Sequence, residues 1–115
     1  MLELILPETP SSNRYWRTFR GRQVISEQAR AYRVQVRAAY LKQTGTLRTA
    51  YPTGEVAVIL NWHRSARRGD TDNRIKQALD SLKGLAYKDD AQVKRLFIER
   101  HDDGRGEMRV QVMAA

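Results

Sequence analysis

The sequence contains no cysteine, only two histidines, and no aspartate before position 70. The missing thiols exclude disulfides, thiolate zinc sites, iron–sulfur clusters and a cysteine nucleophile. His63 and His101 are too few for a histidine-built metal centre, and each reads as a solvated strand-end residue. No apolar run approaches the ~20 residues that cross a bilayer, and no signal peptide opens the chain. The expectation is a soluble cytoplasmic protein without a membrane partner. A glycine-rich phosphate loop is also lacking, so no nucleotide cofactor is expected.

What is present is charge, unevenly spread. The 115 residues carry 21 Lys and Arg against 13 Asp and Glu, a net charge of +8. Residues 1–68 hold 12 bases and 4 acids, whereas residues 69–115 hold 9 of each and all seven aspartates. Of the 21 bases 16 are arginine, whose planar fork donates two hydrogen bonds to one phosphate. Such an excess in a small domain suits a polyanion, nucleic acid first.

The periodicity predicts one α+β domain of order β-α-β-α-β-β, with two helices packed on a small mixed sheet. Leu2, Leu4 and Leu6 alternate in a first strand, and residues 11–25 read as a loop. A helix from Ser26 to about Thr44 buries Ala29, Tyr32, Val36 and Tyr40, and ends at Gly45. Glu55 to Trp62 is apolar on both faces and reads as a central strand. Ile75, Ala78, Leu79 and Leu82 mark a second helix over about 73–83. Strands near 92–100 and 107–113 flank Asp102-Asp-Gly-Arg-Gly106, which spells a hairpin turn.

Two constellations carry chemistry. Asp70 and Asp72 precede the second helix, and Asp89 and Asp90 follow it. The helix climbs about 16 Å, and the next six residues reach at most about 20 Å, so the later pair can just return to the earlier one. Converging carboxylates repel unless protonated or bound to a hard cation, Mg²⁺ or Mn²⁺. Singly, Asp72 reads as a helix cap, Asp89-Asp90 and Asp102-Asp103 as turns, and Asp80 as a structural partner of Lys76 or Lys83. Lys76, one turn beyond Asp72, is placed to orient water or stabilise phosphoryl charge. The second constellation is basic and aromatic: Arg14, Tyr15, Trp16, Arg17, Phe19, Arg20 and Arg22, with Arg64, Arg67 and Arg68 before the acidic site. Arginines clamp phosphates and aromatics stack on unpaired bases. Arg30, Arg33 and Arg37 form a further stripe on the first helix.

At Pro10-Ser-Ser-Asn-Arg-Tyr-Trp-Arg17, Gly69-Asp-Thr-Asp-Asn-Arg-Ile-Lys76 and Asp89-Asp-Ala-Gln-Val93 the chain resembles the RusA family of Holliday-junction resolvases, found in phages and prophages. The resemblance implies a homodimeric, Mg²⁺-dependent endonuclease (Mn²⁺ as substitute) that cuts four-way DNA junctions by paired nicks. It implies Asp70, Asp72 and Asp90 (or Asp89) as catalytic metal ligands, Lys76 as the assisting base or cation, and Asn13 as a site-supporting residue; Asn13 and Asn73 are also candidates for DNA binding. A two-fold protein also matches the two equivalent strands of a junction. The competing expectations are a non-catalytic, architectural DNA-binding protein and a general phosphotransferase.

Overall fold

The computed structural model describes residues 1–10, 16–19, 22–25, 27–67 and 71–115, with residues 16–19, 22–25, 72 and 73 described in backbone alone. Strands β1 (Leu2–Pro7), β2 (Trp16–Phe19) and β3 (Arg22–Ile25) precede helix α1 (Glu27–Thr44). Strand β4 (Val56–His63), helix α2 (Asp72–Leu82), a 3₁₀ turn (Asp90–Gln92), β5 (Val93–His101) and β6 (Glu107–Ala114) follow. The main sheet has the order β1-β6-β4-β5. Strand β6 runs antiparallel to both neighbours, and β4 and β5 are parallel. The two predicted helices are present at nearly their expected bounds, and β4 is central, as its two apolar faces require.

Even-numbered residues of β1, β4 and β6 point to one side, where Leu4, Leu6, Val58, Leu60, Trp62, Met108, Val110 and Val112 form the core. Tyr32, Val36 and Tyr40 of α1 and Ala78 and Leu82 of α2 cover them at helical spacing. Trp62 is fully buried, its Nε1 donating to Glu8 Oε2 at 2.9 Å, with the Arg74 guanidinium 4.7 Å from the ring centroid. Burial of each tyrosine hydroxyl is matched by a backbone acceptor: Pro7 O for Tyr32, Arg48 O for Tyr40, Leu79 O for Tyr87. At the outer edge of β1, Gln43 of α1 accepts from Ile5 N at 2.8 Å and donates to Ile5 O at 2.7 Å.

Two expectations are corrected. Residues 16–19 and 22–25, read as loop, pair as an antiparallel ribbon. The β-forming Trp16, Thr18, Phe19, Val24 and Ile25 outweigh the interleaved arginines. Further, β5 and β6 are not a hairpin, because β4 lies between them. The Asp102–Gly106 segment crosses the C-terminal end of β4 and is fastened there. Arg64 N donates to His101 O, Gly104 N to Arg64 O, and the Arg64 guanidinium to Asp102. His63 Nδ1 lies 2.6 Å from Asp103 Oδ2, and its ring stacks on His101 at 4.4 Å. Both histidines therefore end strands as expected, but His63 is buried rather than solvated.

Trp62→Ala should cost about 3–5 kcal/mol in urea unfolding, because a buried ring and two polar contacts are lost together. The hydrogen bond from Arg64 holds Asp102 below the usual carboxylate range, and that from His63 does the same for Asp103. Carboxyls lowered in the folded state stabilise it above about pH 4, and that contribution disappears as the pH falls through their folded values. Asp103→Asn should accordingly flatten the acid limb of thermal midpoint against pH.

Candidate metal and nucleic-acid site

The β4-α2-β5 unit fixes where the aspartates stand. Helix α2 begins beside the C-terminal end of β4, where Arg74 covers Trp62 and donates to Thr9 O. It ends beside the opposite end of the strand, where Ala50 N donates to Leu85 O and Tyr51 N to Ala86 O. Asp72 and Asn73 are the first residues of α2, preceded by Thr71, which makes no side-chain cap hydrogen bond. Asp70 lies outside the described residues. Lys76 is exposed and pairs with Asp80 at 3.6 Å, which Arg33 also approaches at 3.8 Å. Asp80 is thus the structural partner expected of it.

Asp89 and Asp90 stand at the other end. Val93, three residues after Asp90, pairs with Val56, the first residue of β4. Trp62 lies six residues further along the strand, about 20 Å away at ~3.3 Å per residue. The segment after α2 does not use its contour length to return. Gly84 N donates to Tyr87 O, and the Tyr87 hydroxyl reaches back to Leu79 O. Gln92 finishes the anchoring: its Oε1 accepts from Lys88 N and Asp89 N, and its Nε2 donates to Tyr51 O and Gly54 O. The β4–β5 pairing therefore carries Asp90 to the end of the sheet where β4 begins, while Asp70 and the Asp72 side chain lie outside the described residues. Among the described residues, which leave out Asp70 and the Asp72 side chain, no group of three or more Asp, Glu or His is placed to hold a metal ion.

The adjacent acids differ in what holds them. Asp89 caps the 3₁₀ turn, its Oδ1 accepting from Ala91 N at 3.0 Å. Asp90 is exposed, and its carboxylate has no hydrogen bond or ion pair among the described residues. Burial raises the Tyr87 hydroxyl far above its ordinary pKa, and the charges of Asp90 and Asp80 add to the shift. Asp90 is thus a negative charge close enough to Tyr87 to disfavour its ionisation.

The predicted basic residues divide similarly. Asn13, Arg14, Tyr15, Arg20 and Arg68 lie outside the described residues, while Trp16, Arg17 and Arg22 belong to the β2–β3 ribbon. Arg67 is exposed. Arg64, expected on the DNA side, is instead 8% exposed and engaged with Asp102. Sequence reasoning missed Glu8, Thr9 and Arg74, which meet at the α2 start from positions more than 60 residues apart. Burial raises the Glu8 carboxyl, but hydrogen bonds from Ser65 and Trp62 and the charge of Arg74 outweigh it, leaving Glu8 below its usual value. No local pattern could have joined these three.

The model of the endodeoxyribonuclease RusA family matches residues 6–113. The crossover junction endodeoxyribonuclease RusA of Shigella sonnei (strain Ss046) is 39% identical over 92 residues, covering 78% of this chain and 74% of that protein. Proteins of the same name from Escherichia coli (strain K12) and Enterobacteria phage 82 are 38% identical over the same shares. With the model spanning nearly the whole chain and these relatives well above chance similarity, the chain belongs to the RusA endodeoxyribonuclease family.

Proposed function

We propose that this protein is a divalent-metal-dependent endonuclease that resolves four-way DNA junctions as a two-fold dimer. In each of its two sites Asp70 and Asp72 of one subunit are joined by Asp90 of the partner subunit. Family membership supports the reaction. The observation that supports the arrangement is the parallel pairing of β4 with β5: Val56, beside Val93 and the Asp90 turn, and Trp62, beside the start of α2, are about 20 Å apart along the strand. A second copy bridges that distance. The outer edge of β5 has no partner strand among the described residues, and it exposes Leu96 and Phe97 near its middle. A two-fold axis there sets the Asp90 end of one β5 beside the Asp72 end of the other.

The donor set fits Mg²⁺ or Mn²⁺: carboxylate oxygens only, one of them exposed and unengaged. A cation so held supplies an acidified water and neutralises charge on the leaving oxygen. The chain's own groups do the rest. Asp70 and Asp72 of one subunit, with the partner subunit's Asp90, would hold the cation. Lys76, which Asp80 steadies, places a positive charge one turn from Asp72, where phosphoryl oxygens gain charge. The β2–β3 ribbon with its arginines, together with Arg67, contacts strand phosphates and fixes register without reading sequence. Asp89, occupied in its cap, supports the turn that presents Asp90.

Asp70→Asn should bind a four-way junction at least as tightly as the parent while nicking it at least 100-fold more slowly in Mg²⁺, since a ligand carboxylate is lost but a repulsive charge is removed. Binding without metal-dependent nicking by the parent itself would establish the architectural reading instead. Mixing Asp70→Asn with Asp90→Asn separates the two site geometries. A mixed dimer has one intact site if the halves come from different chains, so about a quarter of parental nicking should return after subunit exchange. If the mixture stays as inactive as either variant, the sites are built otherwise.

A further inference from the structure

A cavity of about 450 Å³ lies beside the first turn of α2, between the end of β1 and one stripe of α1. Neither acidic half nor the basic ribbon accounts for it. Thr9, Tyr32 and Arg74 line it at depth, and Glu8, Gln28 and Gln35 stand around them. Gln28, Tyr32 and Gln35 follow one another at helical spacing, so α1 turns a continuous face to the opening. The Tyr32 hydroxyl is already satisfied by Pro7 O. Two neighbouring atoms are not: Thr9, 1% exposed, has no hydrogen-bond partner for Oγ1, nor has Arg74 for Nε, among the described residues. Folded proteins keep few such groups, because each unsatisfied one is costly.

The charge of the lining selects the occupant. Arg74 and Glu8 interact directly in electrostatic terms, and they are the only ionic groups among these residues. Their formal charges cancel. A phosphate drawn to Arg74 would meet the Glu8 carboxylate, so the cavity is poorly suited to a second anion. It suits a neutral group carrying both donors and acceptors, which the amides of Gln28 and Gln35 can meet on both counts. The volume falls within the range of small-molecule sites. Asp72 lies only two residues before Arg74, so the cavity shares a helical turn with one acidic half.

We propose that this cavity receives an unpaired nucleobase of the DNA strand at the branch point, with Gln28 and Gln35 reading its hydrogen-bonding edge. The inference rests on the junction-resolving reading for its substrate. Bases at a branch leave the stack at lower cost than bases within a duplex. A base held beside the metal site makes cutting depend on the nucleotide next to the scissile phosphate, with bidentate reading worth about a tenfold preference or more.

Junctions carrying 2-aminopurine at the branch, bound with Ca²⁺ in place of Mg²⁺, report base insertion without cutting. The parent should change the emission, and Gln28→Ala/Gln35→Ala should abolish that change while shifting the same junction in gels at similar concentration. Both glutamines are exposed, so the double variant should keep the parental thermal midpoint. In Mg²⁺, across junctions varied at the nucleotide flanking the cut, its best-to-worst nicking ratio should fall about tenfold. An unchanged emission with the parent, or a double variant that preserves both emission change and nicking order, would overturn the assignment. Nicking with unchanged emission defeats this inference alone, whereas emission change without metal-dependent nicking defeats the hydrolytic reading alone.

Discussion

The parallel pairing of β4 with β5 governs the molecule more than any other contact. Two parallel strands cannot be joined by a tight turn, and α2 must travel the length of β4 before β5 can start. Whatever precedes α2 therefore stands at one end of the sheet, and whatever follows it stands at the other. The aspartates lie on both sides of that helix. The turn that carries Asp90 is held at the far end by Gln92, which donates to Tyr51 O and Gly54 O.

Around that constraint the two ends of the sheet are built differently. The Asp72 end is dense with polar contacts: Glu8 takes hydrogen bonds from Trp62 and Ser65, and Arg74 stacks on Trp62 and reaches Thr9 O. Such a network ties the start of α2 to the residues after β1 and to the end of β4. The Asp90 end is a compact turn locked by one glutamine side chain, with its acid directed outward. One end of the sheet is thus tied by several side chains, and the other presents its acid on a short turn.

The sequence was legible where the physics is local or periodic. Tyr32, Val36 and Tyr40 marked the buried face of α1, and the two-sided apolar character of Val56 to Trp62 marked the central strand. Charged clutter hid the β2–β3 ribbon, whose arginines alternate with good strand formers. The Asp102-Asp-Gly signal was a real turn, but its partners are His63 and Arg64, so which strand it places next to which was decided at long range. At the candidate site, residue types and spacing exposed the acids, and contour length bounded their reach. Direction of travel after α2 was set by Gln92 and Tyr87, whose hydrogen bonds leave no trace in spacing. Glu8, Thr9 and Arg74 were illegible for the same reason.

The bidentate grip of Gln43 on Ile5 has a consequence for how copies of this chain can add together. It occupies the outward-facing backbone groups of Ile5, one of the positions through which another strand would attach along β1, whereas the outer edge of β5 carries no strand among the described residues. Pairing at the β1 edge is hindered at its middle, so the same glutamine that tidies a helix terminus also protects a cationic, strand-rich protein against edge-to-edge aggregation there.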